Sequence, residues 1–267
     1  MRLIRVLSAV GFALLLVAAA LAQTPNSGFH SVACFKVKPD RMAEFHKFAA
    51  EEMHKVAQGR IGDGEITAFY LLRSVAPQGQ AADCDYVVVT IFPGLPHMFG
   101  PEHLAAAIRK AGASFTPEDY MAHRNAVAQI VTVSIFQNLA AVGKPKQGDY
   151  FQVNYMKVTD DNFDDWIAYE KKVWKPLAEA LVKDGKESGW SLNVQRMPTG
   201  SETPYQAVTV DIFPTMDAVF DDDPKFAERF HSVHPDRELG TTFQQFERLR
   251  VRAQVRLFLL EDYVSSN

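Results

Sequence analysis

The residues best suited to chemistry cluster in the second half of the chain. Arg250-Val-Arg-Ala-Gln-Val-Arg256 sets Arg250, Arg252, Gln254 and Arg256 at every second position. In a β-strand that spacing turns all four toward one face. A guanidinium presents two parallel N–H donors to a carboxylate or an enolate, so such a face suits an anionic molecule. Alternation along three further predicted strands adds Gln152, Asn154 and Met156, then Ser191, Asn193 and Gln195, then Thr209 and Asp211. Asp211 is the natural counterion for Arg252 or Arg250, which leaves another arginine for a ligand; a purely internal salt-bridge network is the alternative. If this face encloses a ligand, Asp211, Arg252 and a histidine at the mouth are the groups for proton transfer and anion stabilisation. Asn154, Asn193, Gln195, Arg250, Gln254 and Arg256 then make the hydrogen-bonding wall.

Of the eight histidines, His231 and His234 stand three apart near Glu228. That spacing can hold a metal on a helix, but Pro235 ends the helix directly after His234, and no metal site is expected. His97 and His103 occupy the matching stretch of the first half, so both halves place imidazoles after their third strand. His231 is the first choice for an acid or base at the cavity mouth. His46 and His54 are expected in solvent. Asp160-Asp161-Asn162 reads as a helix start, and Asp221-Asp222-Asp223 as a helix end without the calcium-loop pattern. The sequence holds no Gly-rich phosphate loop, G-x-S-x-G or H-E-x-x-H, which disfavours nucleotide enzymes, α/β-hydrolases and zincin proteases.

An internal repeat determines which elements position these residues. Tyr86-Val-Val-Val-Thr-Ile-Phe-Pro93 reads like Ala207-Val-Thr-Val-Asp-Ile-Phe-Pro214, and the same offset aligns Val32–Val37 with Val153–Val158. Periodicity predicts strands at 30–37, 66–73, 86–92 and 127–136, with helices at 41–57, 101–110 and 117–125. The second half repeats this with strands at 150–158, 190–196, 205–213 and 249–260, and helices at 162–183 and within 216–247. Each half is thus βαββαβ, the ferredoxin-like order, and the class is α+β. The units are read as 29–140 and 149–263, joined by a linker at 141–148 that contains Lys144-Pro145-Lys146.

In the second half the face holding Val153, Tyr155, Trp190, Leu192, Val208, Val210 and Ile212 is expected beneath the helices. The first half's counterpart of the polar face is apolar, with Phe35, Val37, Tyr70, Leu72, Tyr86 and Val88. An apolar face needs a cover, and the second sheet is the economical one; another chain, or a solvated polar face, is the alternative. The result is a cavity with one apolar wall, to which Tyr70 and Tyr86 contribute, and one polar wall. Gln129 and Gln254 recur at matching positions and are expected to face each other.

With this element order and the repeated Thr90-Ile-Phe-Pro and Asp211-Ile-Phe-Pro strand ends, residues 29–263 resemble the dimeric α/β-barrel superfamily. The resemblance implies tandem ferredoxin-like repeats whose antiparallel sheets pack as a barrel around a pocket. That superfamily includes cofactor-free monooxygenases, isomerase-like proteins and haem-binding chlorite dismutases, and no motif here selects one. The expectation is a small-molecule-binding protein, acting if catalytic as an oxygenase or isomerase on a small apolar, anionic substrate. A non-enzymatic stress or assembly module is the second reading. No cofactor is expected; haem, if bound, would look to His231 as its axial ligand.

Composition bounds the rest. The 267 residues are 47% hydrophobic with a net charge of −4, so they can fill one large or two small cores and carry no broad cationic field for nucleic acid. Arg2, Arg5, the apolar run from Ala9 to Leu21 and Ala20-Leu-Ala22 read as a cleaved signal peptide over 1–22, giving a secreted or periplasmic protein with no membrane anchor after cleavage. Monomer and homodimer are both open. Export permits a disulfide, but regular alternation places Cys34 and Cys84 on opposite faces, so the bridge is left open.

Overall fold

The computed structural model describes residues 28–79, 82–94 and 103–266. Residues 1–22, read above as a signal peptide, and His97 lie outside them. Strand β1 (Phe29–Val37) is followed by α1 (Met42–Phe48), a π-turn at Ala49–Met53, and α2 (His54–Gly62). Strands β2 (Ala68–Ala76) and β3 (Tyr86–Phe92), helices α3 (His103–Lys110) and α4 (Pro117–Val127), and β4 (Ala128–Gly143) come next. The same order returns in β5 (Tyr150–Lys157), α5 (Phe163–Tyr169), a π-turn at Glu170–Trp174, α6 (Lys175–Lys183), β6 (Gly189–Met197) and β7 (Ala207–Phe213). Helices α7 (Met216–Phe220), α8 (Phe226–Val233) and α9 (Leu239–Leu249) lead into β8 (Val251–Ser265).

Local chemistry explains the sharper boundaries. Thr116 caps α4: its hydroxyl accepts from the Asp119 amide at 3.1 Å, the Asp119 carboxylate accepts from the Thr116 amide at 3.1 Å, and Pro117 fills the first helical position. The strands are runs of β-branched and aromatic residues, which suit a pleated surface buried on both sides.

All eight strands pair antiparallel in a closed barrel ordered β1-β3-β2-β8-β5-β7-β6-β4. Closure depends on β4 and β8, which run on to Gly143 and Ser265, past the ends at 136 and 260 that periodicity predicts. The first part of β4 pairs with β1, and from Ile135 to Gly143 it pairs with β6. Likewise β8 pairs with β5 up to Leu259 and with β2 from Leu257 to Ser265. The polar Gln137-Asn138 pair, which reads as a strand end, is the point where β4 changes partner. Phe45, Phe48, Phe69 and Tyr86 fill the layer between the barrel and the first helices; Trp166, Trp190, Leu192 and Leu249 fill the second such layer. Inside the barrel sit Leu72, Val87, Phe151, Ile212 and Phe258.

Register corrects the predicted faces. Directly paired residues share a face, and β6 pairs Trp190 with Asp211, Ser191 with Val210, Leu192 with Thr209 and Asn193 with Val208. Asp211 and Thr209 therefore lie with Trp190 and Leu192 beneath the helices, while Val210 and Val208 face inward with Ser191 and Asn193. In β8, Met156 pairs with Arg252 and Tyr155 with Gln254, so Ala253 is an extra residue. This β-bulge separates the arginines: Arg252 falls on the helix side, Gln254 and Arg256 on the barrel side. In the first half, Tyr70 pairs with Val89 and Leu72 with Val87 inside the barrel, whereas Phe35, Tyr86 and Val88 pack beneath the helices. The expected contrast of one apolar and one polar wall is thus replaced by a barrel that is largely apolar all round.

Cys34 and Cys84 form a disulfide with Cα atoms 5.3 Å apart. Cys84 precedes β3, which begins at Tyr86, so strand alternation does not constrain it. The bridge fixes the segment that carries Asp83 to β1. Close approach also governs α2 and α3: a Cβ on Gly59 would stand 2.0 Å from the Ala107 carbonyl oxygen. Gly59→Ala must push the two helices apart, and is expected to destabilise the fold by about 1–3 kcal/mol, read as a lower midpoint in thermal unfolding.

Candidate functional site

The barrel encloses a cavity of about 1070 Å³. Its middle is apolar, with Val32, Leu72, Val89, Phe151, Val153 and Val210. Polar groups gather in two places, separated along β1. His30 and Cys34 are four residues apart, which at strand rise is about 13 Å.

At the Cys34 end, Arg256 forms an ion pair with Asp83, which is itself largely exposed. The guanidinium carbon lies 5.3 Å from the centre of the Tyr155 ring, and Tyr155 meets Tyr205 edge-on at 4.5 Å. Asp83 engages one terminal nitrogen of Arg256, while Nε is buried without a hydrogen-bond partner. Burial pushes both tyrosine hydroxyls above their ordinary range, so they remain protonated hydrogen-bond donors. A cation with an unused donor beside two phenols offers hydrogen-bond donors of the kind an anion accepts from.

At the other end His30 is only 9% exposed and stacks on Phe136 with ring centres 5.5 Å apart. Burial lowers its pKa to about 4, so the imidazole is neutral. Close to it in the sheet, Asn138 donates to Asn193 at 2.9 Å, and Asn193 donates to Ser191 at 2.9 Å. Tyr70 and Tyr263, with ring centres 5.2 Å apart, add a further aromatic surface to the cavity.

The structure divides the predicted site residues. Asn193, Gln254, Arg256 and Tyr70 line the cavity. Gln195 alternates with Asn193 toward the barrel side and is buried, with its amide donating to the Pro198 carbonyl at 2.8 Å. Asn154 and Asp211 lie on the other side of the sheet, where Asn154 donates to Asp211 at 2.7 Å. Arg250 accompanies them, lying over Phe246, and Arg252 is on the same side at an exposed rim. Tyr86 is buried against Phe45 and bonds His46 at 2.5 Å, away from the cavity. Gln129 is exposed near the start of β4, which stands across the barrel from β8, so it does not face Gln254. His54, expected in solvent, instead pairs with Asp262 at 2.9 Å.

His231 is exposed on α8 and does not reach the cavity, whereas His234 points inward and bonds the Val173 carbonyl at 2.9 Å. The pair is split between solvent and core. An exposed imidazole on a helix surface does not fit the buried axial ligand that a haem needs. Among the described residues no group of three or more His, Cys, Asp or Glu side chains is placed to hold a metal.

The polar groups beneath the second helices form a cluster of their own. Glu170 accepts from the Trp166 indole at 3.0 Å, and its pKa is raised to about 8, chiefly by burial. Burial likewise raises Glu187, with the Asp211 charge adding to it, and burial raises Asp211 against the bond from Asn154 and the charges of Arg252 and Arg250. One oxygen each of Glu187 and Asp211 and the Arg250 Nε lack partners. Burial thus holds Glu170 and Glu187 protonated near neutral pH, at a cost to the fold.

His30, Asn138, Tyr155, Tyr205 and Asp83 were not singled out from the sequence. A signal for His30 exists: it is the one basic residue in the alternating set His30, Val32 and Cys34, which the structure turns toward the interior.

No family model matches the chain, and no curated protein matches it. Solved structures do. A protein from Fusobacterium nucleatum subsp. nucleatum, provisionally named a monooxygenase, superposes with a TM-score of 0.60 at 9% identity, over 91% of this chain and 96% of that one. A second provisionally named monooxygenase, from Lactobacillus acidophilus, gives 0.54 at 11% identity over 90% and 97%. An anthrone oxidase-like protein gives 0.54 at 10% identity over 91% and 95%. At such identities the likeness is one of architecture: this chain has the dimeric α/β-barrel fold, with a single polypeptide closing the eight-stranded barrel.

Proposed function

We propose that this chain is an exported small-molecule-binding protein whose barrel cavity takes a partly apolar, anionic molecule, and that its chemistry is oxygenation without a resident cofactor, or isomerisation. The observation that carries the reading is Arg256: a cavity cation whose Nε is buried and unpartnered. Asp83, an exposed carboxylate, is the group an incoming acid would displace or join. The names of the similar structures support oxygenase-type chemistry. In an oxygenation of this kind a substrate CH2 activated by a neighbouring carbonyl gives up a proton, the resulting enolate gives its electrons to dioxygen, and one oxygen stays as a new C=O while the other leaves as water, so the protein has to hold the anion and exclude bulk water. Arg256 and the tyrosine hydroxyls suit the first task, the apolar walls the second.

Two further parts of the reading rest on other observations. Export is supported by the leader-like residues 1–22 and by the Cys34–Cys84 bridge, which persists in oxidising compartments. Duplication of one unit, with halves at 29–140 and 149–263 about a short linker, is supported by π-turns at Ala49–Met53 and Glu170–Trp174 and by left-handed glycines at Gly64 and Gly185.

Thermal shift tests the anion reading. 2-Naphthoate is expected to raise the unfolding midpoint, while the neutral 2-naphthamide at equal concentration raises it less. Equal shifts from acid and amide would show an apolar cavity without an anion site.

A further inference from the structure

The distance between the two polar ends sets the shape of the ligand. Arg256 is tied through Asp83 to the Cys34–Cys84 bridge, and so marks the Cys34 end of β1. His30 marks the other end. Asn138 stands beside it, because β4 pairs Phe136 with His30 and the Asn138 backbone N–H donates to the Gly28 carbonyl at 3.0 Å. Asn193 pairs with Asn138 across β4 and β6. A second path agrees with the first: Asn193 pairs with Val208, and Val208 with Tyr155, so two strand spacings of about 4.8 Å separate the amide group from the tyrosine beside Arg256. The polar ends are therefore about 10–13 Å apart, with apolar wall between them.

His30 is the second unpartnered group. It is nine-tenths buried, lines the cavity, and makes no side-chain hydrogen bond among the described residues. The other described histidines inside or against the fold have partners: His46 with Tyr86, His54 with Asp262, His123 with Glu52 and His234 with Val173. A buried imidazole facing an apolar chamber with nothing to bond is poised for a ligand group. Its stacking on Phe136 holds the ring in place without using its nitrogens.

We propose that the cavity selects an elongated amphipathic acid, with its acid group on Arg256 and a hydroxyl or carbonyl at its far end on His30 and the Asn138–Asn193 amide pair. This rests on the anion-binding reading above and adds a length and a second polar group to it. A short acid reaches only Arg256, and a long acid without a distal polar atom leaves His30 unpaired. His30, Asn138 and Asn193 are then specificity-determining residues.

Isothermal titration with benzoate, 2-naphthoate and 6-hydroxy-2-naphthoate tests the proposal. The order of affinity expected is benzoate weakest and 6-hydroxy-2-naphthoate tightest, with the added hydroxyl giving about a fivefold to tenfold gain over 2-naphthoate. That gain should vanish in His30→Phe, which keeps the aromatic stack, and shrink in Asn138→Ser. The gain is read within each variant, as its affinity for 6-hydroxy-2-naphthoate over that for 2-naphthoate, and an unfolding midpoint close to that of the unaltered protein shows that each variant is folded. If 2-naphthoate binds but the hydroxyl adds nothing, or its gain survives in both variants, the length proposal is wrong and the anion reading stands. Failure of both naphthoates to bind would overturn the two together.

Discussion

Removing the Cys34–Cys84 bridge is expected to lower the unfolding midpoint by roughly 10 °C. The bridge closes a loop spanning 50 positions, and the loss of unfolded-state entropy from closing such a loop is worth about 4 kcal/mol. The loop contains α1, α2 and β2, so an open chain has a whole α/β section to bring back to β1. Calorimetry with and without reductant, and on the Cys34→Ala/Cys84→Ala double variant, reads the effect. An unfolding midpoint indifferent to reductant would mean that the thiols are not bridged in solution.

The second large effect comes from the buried acids. Glu170 is 3% exposed and titrates at about 8 in the folded protein, against an ordinary value of 4.5. The folded state therefore holds a proton that the unfolded state releases. Its contribution is fully present below about pH 4.5 and is lost progressively as the pH rises toward 8. Glu187 and Asp211 shift in the same direction and add to this slope. Glu170→Gln keeps an acceptor for the Trp166 indole and removes the proton requirement. At pH 8 it should stabilise the protein by about 3 kcal/mol, raising the midpoint by roughly 5–10 °C, with little gain at pH 4.5. Unfolding scans of both proteins across that range check the prediction, and a difference independent of pH would refute it.

The element order and the barrel could be read from the sequence because they follow from periodicity and repetition. Valine-rich runs such as Tyr86–Phe92 and Ala207–Phe213 read as buried strands, and the apolar face of the first sheet needs a cover, for which the second sheet is the economical choice. The site was only partly legible. Alternation says which residues of one strand share a face, but not which faces of neighbouring strands coincide; that depends on register. β7 shows why: Val208, Val210 and Ile212 look like a helix-facing stripe, and Thr209 and Asp211 like a cavity wall, yet pairing with Trp190 and Leu192 reverses both. The bulge at Ala253 is equally silent in Arg250–Arg256, where unbroken alternation makes Arg252 and Arg256 equivalent. The structure places Arg252 at an exposed rim on the helix side of the sheet and Arg256 in the cavity.

That separation gives the most direct test of where the ligand binds. Titration of 2-naphthoate into the unaltered protein, Arg256→Ala and Arg252→Ala should show binding weakened at least about tenfold by the first substitution, as befits loss of a charged hydrogen bond, and unchanged by the second. Equal affinity in Arg256→Ala, or a loss confined to Arg252→Ala, would contradict a site inside the barrel.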